Sequence, residues 1–431
     1  MRKGFFKSSQ LAIENKRQSK FPACSKCELH KFCDSPKMEP SGSGELKILF
    51  VAEIPGRQED IKGTHFVGPI GKYLQKVCLR FGIDIHQCKK TNACACYKLK
   101  GKAPTDTEIA HCRPNVLNLI NEFQPHLIIP LGGAALKSVI GNKFISKIGG
   151  IRKWRGFIMP DREYKAWVCP TFHPSFVRKE EAPEYAETLF KEDLADAFKM
   201  LEYPVPEYTS EKDYVELISK KKEINSFLKS VLEQQNILTS FDYETSGLKP
   251  QPKKMWIASA SISLGADHAV AFPFLNDADF LKLFKQYLER VDIKKIVANL
   301  KFERDWSAVK LNTKLKGIYF DTMIAAHFLD NRQQITSLDF QNYINFGLSP
   351  YNQKVKKYLE SEGGRGTSVN SIDKLDLKNL LLYNGLDSIT EFRNGLIMMD
   401  RIGINYSKFY KEATGYDYAP QYKYIQEAKC K

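Results

Sequence analysis

The chain has 431 residues and 49.4 kDa, and at roughly 100 to 200 residues per domain it holds two or three domains rather than one. Hydrophobic residues make up 43%, aromatic 12% and charged 27%, which excludes wholesale disorder and fibrous classes. Lysine and arginine number 65 against 50 aspartate and glutamate, a formal charge of +15, favouring a polyanionic partner such as nucleic acid over an unspecific basic surface.

No uncharged apolar run approaches the ~18 residues of a membrane helix, and MRKGFFKSSQLAIENKRQSK carries no apolar signal core, so neither membrane insertion nor export is expected. Ten cysteines are too few for a disulfide scaffold. In a reducing compartment a cysteine cluster suggests metal before disulfide.

In chain order, CSKCELHKFC at 24–33 precedes a loop rich in Pro, Gly and Ser. KILFVAEIPG, 47–56, reads as a buried parallel strand delivering a loop at its C-terminal end, where α/β folds place ligands. Helical patterns around GKYLQKVCLRFG and TDTEIAHCRPNVLNLINEFQ flank TNACACY, and HLIIPLGG follows as a strand, an alternation that predicts a doubly wound α/β domain. AWVCPTFHPSF, 166–176, adds a strand with His173 at its end. Residues 180–236 are strongly charged, with YPVPEY as punctuation and KKKEINSFLKSVLEQQ as a helix, and 201–235 is expected to be the domain linker. NILTSFDYETSGL, WIASASISL and HAVAFPF are short strands with few helical residues between them, which predicts antiparallel pairs. A helix, the short strand KKIVAN and amphipathic segments run to about 410, and the polar, Tyr-rich 411–431 is expected as a tail.

Cys24 and Cys27 form a CxxC, with Cys96 and Cys112 far downstream. The pair alone fits buried small hydrophobes or half a zinc site as well as anything else. KILFVAEIPGRQED, THFVGPIGKYL, TNACAC, AHCRP and PTFHPS, in this order over residues 20–180, resemble family 4 and related iron-sulfur uracil-DNA glycosylases. The resemblance implies a 4Fe-4S cluster on Cys24, Cys27, Cys96 and Cys112, with zinc as the alternative. Of the remaining thiols (Cys33, Cys78, Cys88, Cys94, Cys169, Cys430), only Cys94 is placed as a substitute ligand. It further implies that Phe66 stacks on a flipped uracil and that Asn92 reads its Watson–Crick edge. His173 would stabilise charge on the leaving base, with Glu53 and Glu59 as the loop carboxylates that position sugar and water. Two departures stand out: Ala52 replaces the family's usual Gly, and the loop after Cys96 lacks the usual Arg-containing, Pro-Gly-rich pattern. A DNA-binding module without activity is therefore the alternative for this half.

Asp242 and Glu244, one residue apart on a strand, project to the same side, as hard oxygen ligands for Mg²⁺ must. Asn299 and Glu303 in VANLKFERDW, Asp321 in YFDTM, and Tyr383 with Asp387, four apart on one helix face, complete the pattern. The set resembles the DEDDy class of 3′-5′ exonucleases, nearest to the proofreading domain of family A DNA polymerases, over about 236–400. It implies Asp242, Glu244 and Asp387 as ligands of Mg²⁺ or Mn²⁺, and Tyr383 as the group that orients water. Glu303 stands in the place of the usual Asp, with Asp305 as a fallback that points away from it.

The expected architecture is α/β: an N-terminal, doubly wound parallel-sheet glycosylase-like domain over 1–200 and a C-terminal, RNase H-like mixed-sheet exonuclease over 236–410. Some large bacteriophages place a glycosylase-like domain ahead of the exonuclease of a family A polymerase. No palm sequence follows Asp387 here, so a DNA polymerase is expected as a separate partner, if at all. The expected function is metal-dependent 3′-5′ exonuclease action on single-stranded or primer-template DNA during replication or repair, in the cytoplasm, that of a bacterial host if phage-encoded. The alternatives are a bifunctional enzyme that also excises uracil and a non-catalytic DNA-binding or processivity subunit. The charge divides accordingly: residues 1–180 hold 31 Lys and Arg against 15 Asp and Glu, so the whole basic excess lies in the first half.

Overall fold

The computed structural model describes residues 22–144, 148–360 and 368–404; the expected tail 411–431 and Cys430 lie outside them. The chain forms two compact units, one comprising residues up to Gly156 and Val168–Phe198, the other Phe157–Trp167 and the residues from Lys199 onward.

The first unit runs α1 (Cys24–Cys27), β1 (Ile48–Ala52), α2 (Arg57–Lys62), α3 (Pro69–Leu79), β2 (Lys89–Asn92), α4 (Asp106–Phe123), β3 (Leu127–Pro130) and α5 (Gly133–Ile140). β1 lies between β2 and β3 and is parallel to both. All five of its residues are buried, which is why ILFVA shows no alternation: a parallel strand is covered on both faces. Next to β3, the N–H groups of Cys169 and Thr171 donate to the carbonyls of Ile128 and Pro130, extending the parallel pairing to the threshold of His173. Ala52, Asn92, Pro130 and Thr171 thus end side by side, and the loops leaving them share one edge.

The second unit runs β4 (Val215–Leu217), α6 (Lys221–Glu233), β5 (Leu238–Thr245), β6 (Ile257–Ser263), β7 (Ala269–Pro273), α7 (Ala278–Glu289), β8 (Lys294–Val297), α8 (Leu300–Leu311), β9 (Ile318–Asp321), α9 (Thr322–Leu329), α10 (Leu338–Phe346) and α11 (Leu377–Arg401). Its sheet has the order β9-β8-β5-β6-β7-β4. The β5–β6 and β6–β7 pairs are antiparallel, and the other three pairs are parallel.

The stretch 201–235, expected as a linker, is part of this unit. β4 pairs with β7 at the sheet edge, and Ile224, Leu228 and Val231 of α6 are fully buried in the core. Their i, i+4, i+7 spacing forms one apolar stripe, each residue contributing about 1.5 to 3 kcal/mol by burial. High charge density on the opposite face of α6 hid that stripe.

Two features seat α11 across the sheet. Ser240, Ser259 and Ser261 present small side chains to it and donate to the Ser388 carbonyl (2.6 Å), Asn384 Oδ1 (3.1 Å) and the Asn384 carbonyl (2.8 Å). Gly385 and Gly395 allow the close approach, since a Cβ there would meet Val215 Cγ1 at 2.3 Å and Ile296 Cδ1 at 2.8 Å. Among the described residues no helix is long and apolar enough to cross a membrane.

Candidate functional site

At the strand ends of the first unit, Asn92 is 4% exposed and its Nδ2 has no hydrogen-bond partner. A buried amide donor without a partner is costly, and this one stays available to an acceptor that reaches the strand ends. His173 caps the turn Pro174–Val177: its Nδ1 accepts the Ser175 N–H at 3.2 Å and lies 2.7 Å from Ser175 Oγ. The neutral ring therefore carries its proton on Nε2, as a donor. Burial pushes the His173 pKa down, against the pull of Glu53. Glu53 Oε1 accepts the Ala134 N–H at the start of α5, 3.2 Å away. Gly132, at φ +90°, makes room for both groups, because a Cβ there would sit 2.5 Å from Glu53 Oε1 and 3.0 Å from His173 Cβ.

Phe66 adopts φ +58°, a left-handed conformation that is an outlier for so bulky a residue and that marks stored strain. Its carbonyl oxygen would lie 2.1 Å from a Cβ on Gly71, so Gly71 permits the turn. Beside it, His65 is 5% exposed; Nδ1 is 2.9 Å from Ser41 Oγ, while Nε2 is buried without a partner. Glu59, nominated with Glu53, accepts the Gly68 N–H at 2.8 Å and is spent on holding the loop before α3. Ala52 is 3% exposed.

Cys24, Cys27, Cys96 and Cys112 line one pocket, which Cys94 also lines. The Lys37 N–H donates to Cys96 Sγ (3.2 Å), and the Ala95 N–H and Asn115 Nδ2 donate to Cys112 Sγ (3.3 and 3.4 Å). A hydrogen bond from Cys94 holds the Cys112 thiol down at about 7, against its burial. Four convergent thiols, two of them already accepting N–H donors, are a donor set for a thiophilic metal centre.

In the second unit, β5 carries Asp242 and Glu244, and α11 carries Asp387; one ligand atom from each lies within 4.8 Å of the others. Burial pushes Asp242 up to about 7, opposed by Asn384. Burial also raises Glu244 and Asp387 well above the carboxylate range, and the charge of Asp242 adds to both. Three acids that resist simultaneous ionisation define a site short of positive charge, which a divalent cation supplies. Glu303, in the first turn of α8, stands outside this trio; it is 2% exposed, its Oε2 has no partner, and its pKa is raised by burial and then by Asp242. Asp305, the fallback, is turned outward and accepts from Arg304 at 2.9 Å, because two residues along a helix reverse the facing. Asp321 is committed elsewhere: its oxygens accept the N–H groups of Met323, Ile324 and Leu300 at 2.9, 3.0 and 2.8 Å, capping α9 and tethering α8. Asn299 takes φ +72° as the residue before α8, a conformation asparagine tolerates.

Three residues of this site went unread in the sequence. Asn384 Nδ2 donates to Asp242 Oδ2 at 2.7 Å, and its place inside YNGLD on the sheet-facing side of α11 was a usable signal. The Tyr351 hydroxyl donates to Asp387 Oδ1 at 2.5 Å, and its ring packs on Tyr383 with centroids 5.8 Å apart. It comes from a loop 36 residues away, with no local pattern to betray it. Glu391, one turn beyond Asp387, is 1% exposed with Oε1 unpartnered.

Two family descriptions match the chain: the uracil DNA glycosylase superfamily over residues 39–196 and the 3′-5′ exonuclease domain over residues 215–375. The type-4 uracil-DNA glycosylase of Saccharolobus solfataricus is 34% identical over 155 residues, 35% of this chain and 71% of that protein. A DNA polymerase of Bacillus phage SP01 is 25% identical over 394 residues, 85% of this chain but only 41% of the polymerase. Among solved structures, Escherichia coli RNase D is similar at a TM-score of 0.34 and 12% identity over 49% of this chain and 50% of that one, a likeness too remote to weigh. Through its first unit the chain belongs to the uracil-DNA glycosylase family of the type-4 kind, joined to a 3′-5′ exonuclease domain.

Proposed function

We propose that the chain is a metal-dependent 3′-5′ DNA exonuclease of the proofreading kind, acting in replication or repair beside a DNA polymerase. The observation that carries this reading is the convergence of Asp242, Glu244 and Asp387 within 4.8 Å. In this reading the three carboxylates hold Mg²⁺ or Mn²⁺, and a bound divalent cation supplies Lewis-acid stabilisation of charge on the scissile phosphate. Asn384 fixes one oxygen of Asp242 and leaves the other to face the site. Tyr351 does the same for Asp387, and Tyr383 orients the attacking water from one turn away. Glu303, buried with its Oε2 unpartnered, completes the acidic wall in place of the usual Asp. The test is a 5′-labelled single strand with Mg²⁺ present: a ladder shortening from the 3′ end supports the reading, and an intact strand in every divalent metal refutes it.

A second reading is favoured by the unpartnered amide of Asn92. The first unit excises uracil as well: Asn92 reads the base, Phe66 stacks on it, and Nε2–H of His173 donates to the departing uracil while Glu53 positions sugar and water. Cys24, Cys27, Cys96 and Cys112 hold a 4Fe-4S cluster, which ties α1 and the loop after β2 to the second turn of α4. Absorbance near 400 nm from aerobically purified protein, lost in Cys96→Ser, tests the cluster; cleavage of a uracil-containing oligonucleotide after alkali tests the excision.

A further inference from the structure

The turn that joins β5 to β6 leaves the metal-binding strand one residue after Glu244 and returns at Trp256. Its base is rigid: the Ser246 N–H donates to the Trp256 carbonyl at 3.0 Å and the Trp256 N–H donates to Ser246 Oγ at 2.9 Å. Lys310 of α8 donates to the Pro252 carbonyl at 2.9 Å, pinning the outer part. On this frame Trp256 is 39% exposed, whereas the other three tryptophans of the chain, Trp154, Trp167 and Trp306, are 0% exposed. Lys249, Lys253 and Lys254 on the same turn are exposed. Opposite Ser246, Trp256 lies two residues beyond Glu244, or about 7 Å at ~3.3 Å per residue.

A solvent-facing indole on a pinned turn that also carries three exposed lysines has little to offer the fold, which gains most from tryptophan by burying it. It suits a flexible polyanion whose bases offer π-faces. We propose that the Ser246–Trp256 turn grips the single-stranded 3′ portion of DNA entering the carboxylate site, with Trp256 stacked on a base and Lys249, Lys253 and Lys254 against phosphates. This rests on the exonuclease reading. DNA rather than RNA is the commitment, because the same chain carries a unit of the uracil-DNA glycosylase family.

The test uses the full chain with oligo-dT in EDTA, so that no turnover occurs, followed by steady-state digestion in Mg²⁺. Oligo-dT quenches tryptophan fluorescence in the wild type and not in Trp256→Phe, which keeps a near-normal KM because phenylalanine still stacks. Trp256→Ala raises KM by about tenfold with kcat within twofold, the size of one lost base stack. Replacing the three lysines by glutamine flattens the salt dependence of binding, by roughly 0.7 in slope for each phosphate no longer neutralised. An unchanged KM in Trp256→Ala, with wild-type melting behaviour, overturns the proposal while leaving the exonuclease standing. Quenching by DNA in a wild type that shortens no strand sinks the exonuclease reading instead. Stronger quenching and lower KM for the matching ribo-oligonucleotide overturn the assignment to DNA.

Discussion

In the first unit the strand-end groups are an amide, a neutral imidazole and a single carboxylate, Asn92, His173 and Glu53. In the second, Asp242, Glu244 and Asp387 crowd within 4.8 Å with Glu303 and Glu391 buried behind them. Both units mount their groups on a sheet, yet one gathers no crowd of like charges and the other does. The first can meet a neutral base with hydrogen bonds alone. The second has burial and mutual repulsion holding its acids above their normal range, and so depends on cations from outside. The net charges run the other way: residues 1–180 carry the whole basic excess and the remainder is near neutral. Overall charge marks the first half as the one with the stronger pull on a polyanion, and local charge separates a site of neutral hydrogen-bonding groups from one of crowded carboxylates.

The contrast can be broken most directly by removing metal. EDTA, or Asp242→Ala with Glu244→Ala, should abolish strand shortening by on the order of a thousandfold, the several kcal/mol that the cations supply. The double variant should also raise the metal-free melting temperature, because buried repulsion is relieved. Uracil release, assayed in the same EDTA buffer, should be untouched; if it falls in parallel, the two sites are not independent.

His173→Ala sharpens the other side. Uracil release should drop by about 10² to 10³-fold, as for removal of a donor to a developing anion, with exonuclease rate unchanged. A variant that keeps full excision would remove His173 from the chemistry.

A smaller effect is expected at Asn384, which touches Asp242 and not the cation. Asn384→Ala should raise the half-saturating Mg²⁺ concentration by roughly 10 to 100-fold, with rate recovered at high metal. A loss that no metal concentration restores would mean that the residue holds the fold of α11 instead.

The smallest is a pH effect confined to the first unit. Burial, with the charge of Lys90 adding to it, pushes His65 down to about 4 from an ordinary value of 6.5. The unfolded chain therefore takes up a proton between pH 6.5 and 4 that the folded one refuses. Stability is full well above 6.5 and falls as pH drops through that window, by about 1.5 kcal/mol between 6.5 and 5. Chemical denaturation monitored at both pH values should show the loss in wild type and a much smaller one in His65→Gln.

Motifs whose spacing follows a single strand or helix were legible from the residues alone. Asp242 and Glu244 alternate on β5, Tyr383 and Asp387 share a face of α11, and ILFVA announces a strand covered on both sides. Two families could be recognised from such local runs because their chemistry demands those residue types in that order. Proximity between distant segments could not be read this way. Tyr351 reaches Asp387 from a loop, Gly132 owes its importance to Glu53 and His173 arriving from two other strands, and β4 and α6 looked like a charged connector until the sheet edge and core they complete were in view. Residue type and period along one element are properties of the chain itself. Which acid is turned inward, which donor is left without a partner and which serine carries a helix depend on closure of the fold, since only packing excludes the water that would otherwise satisfy them.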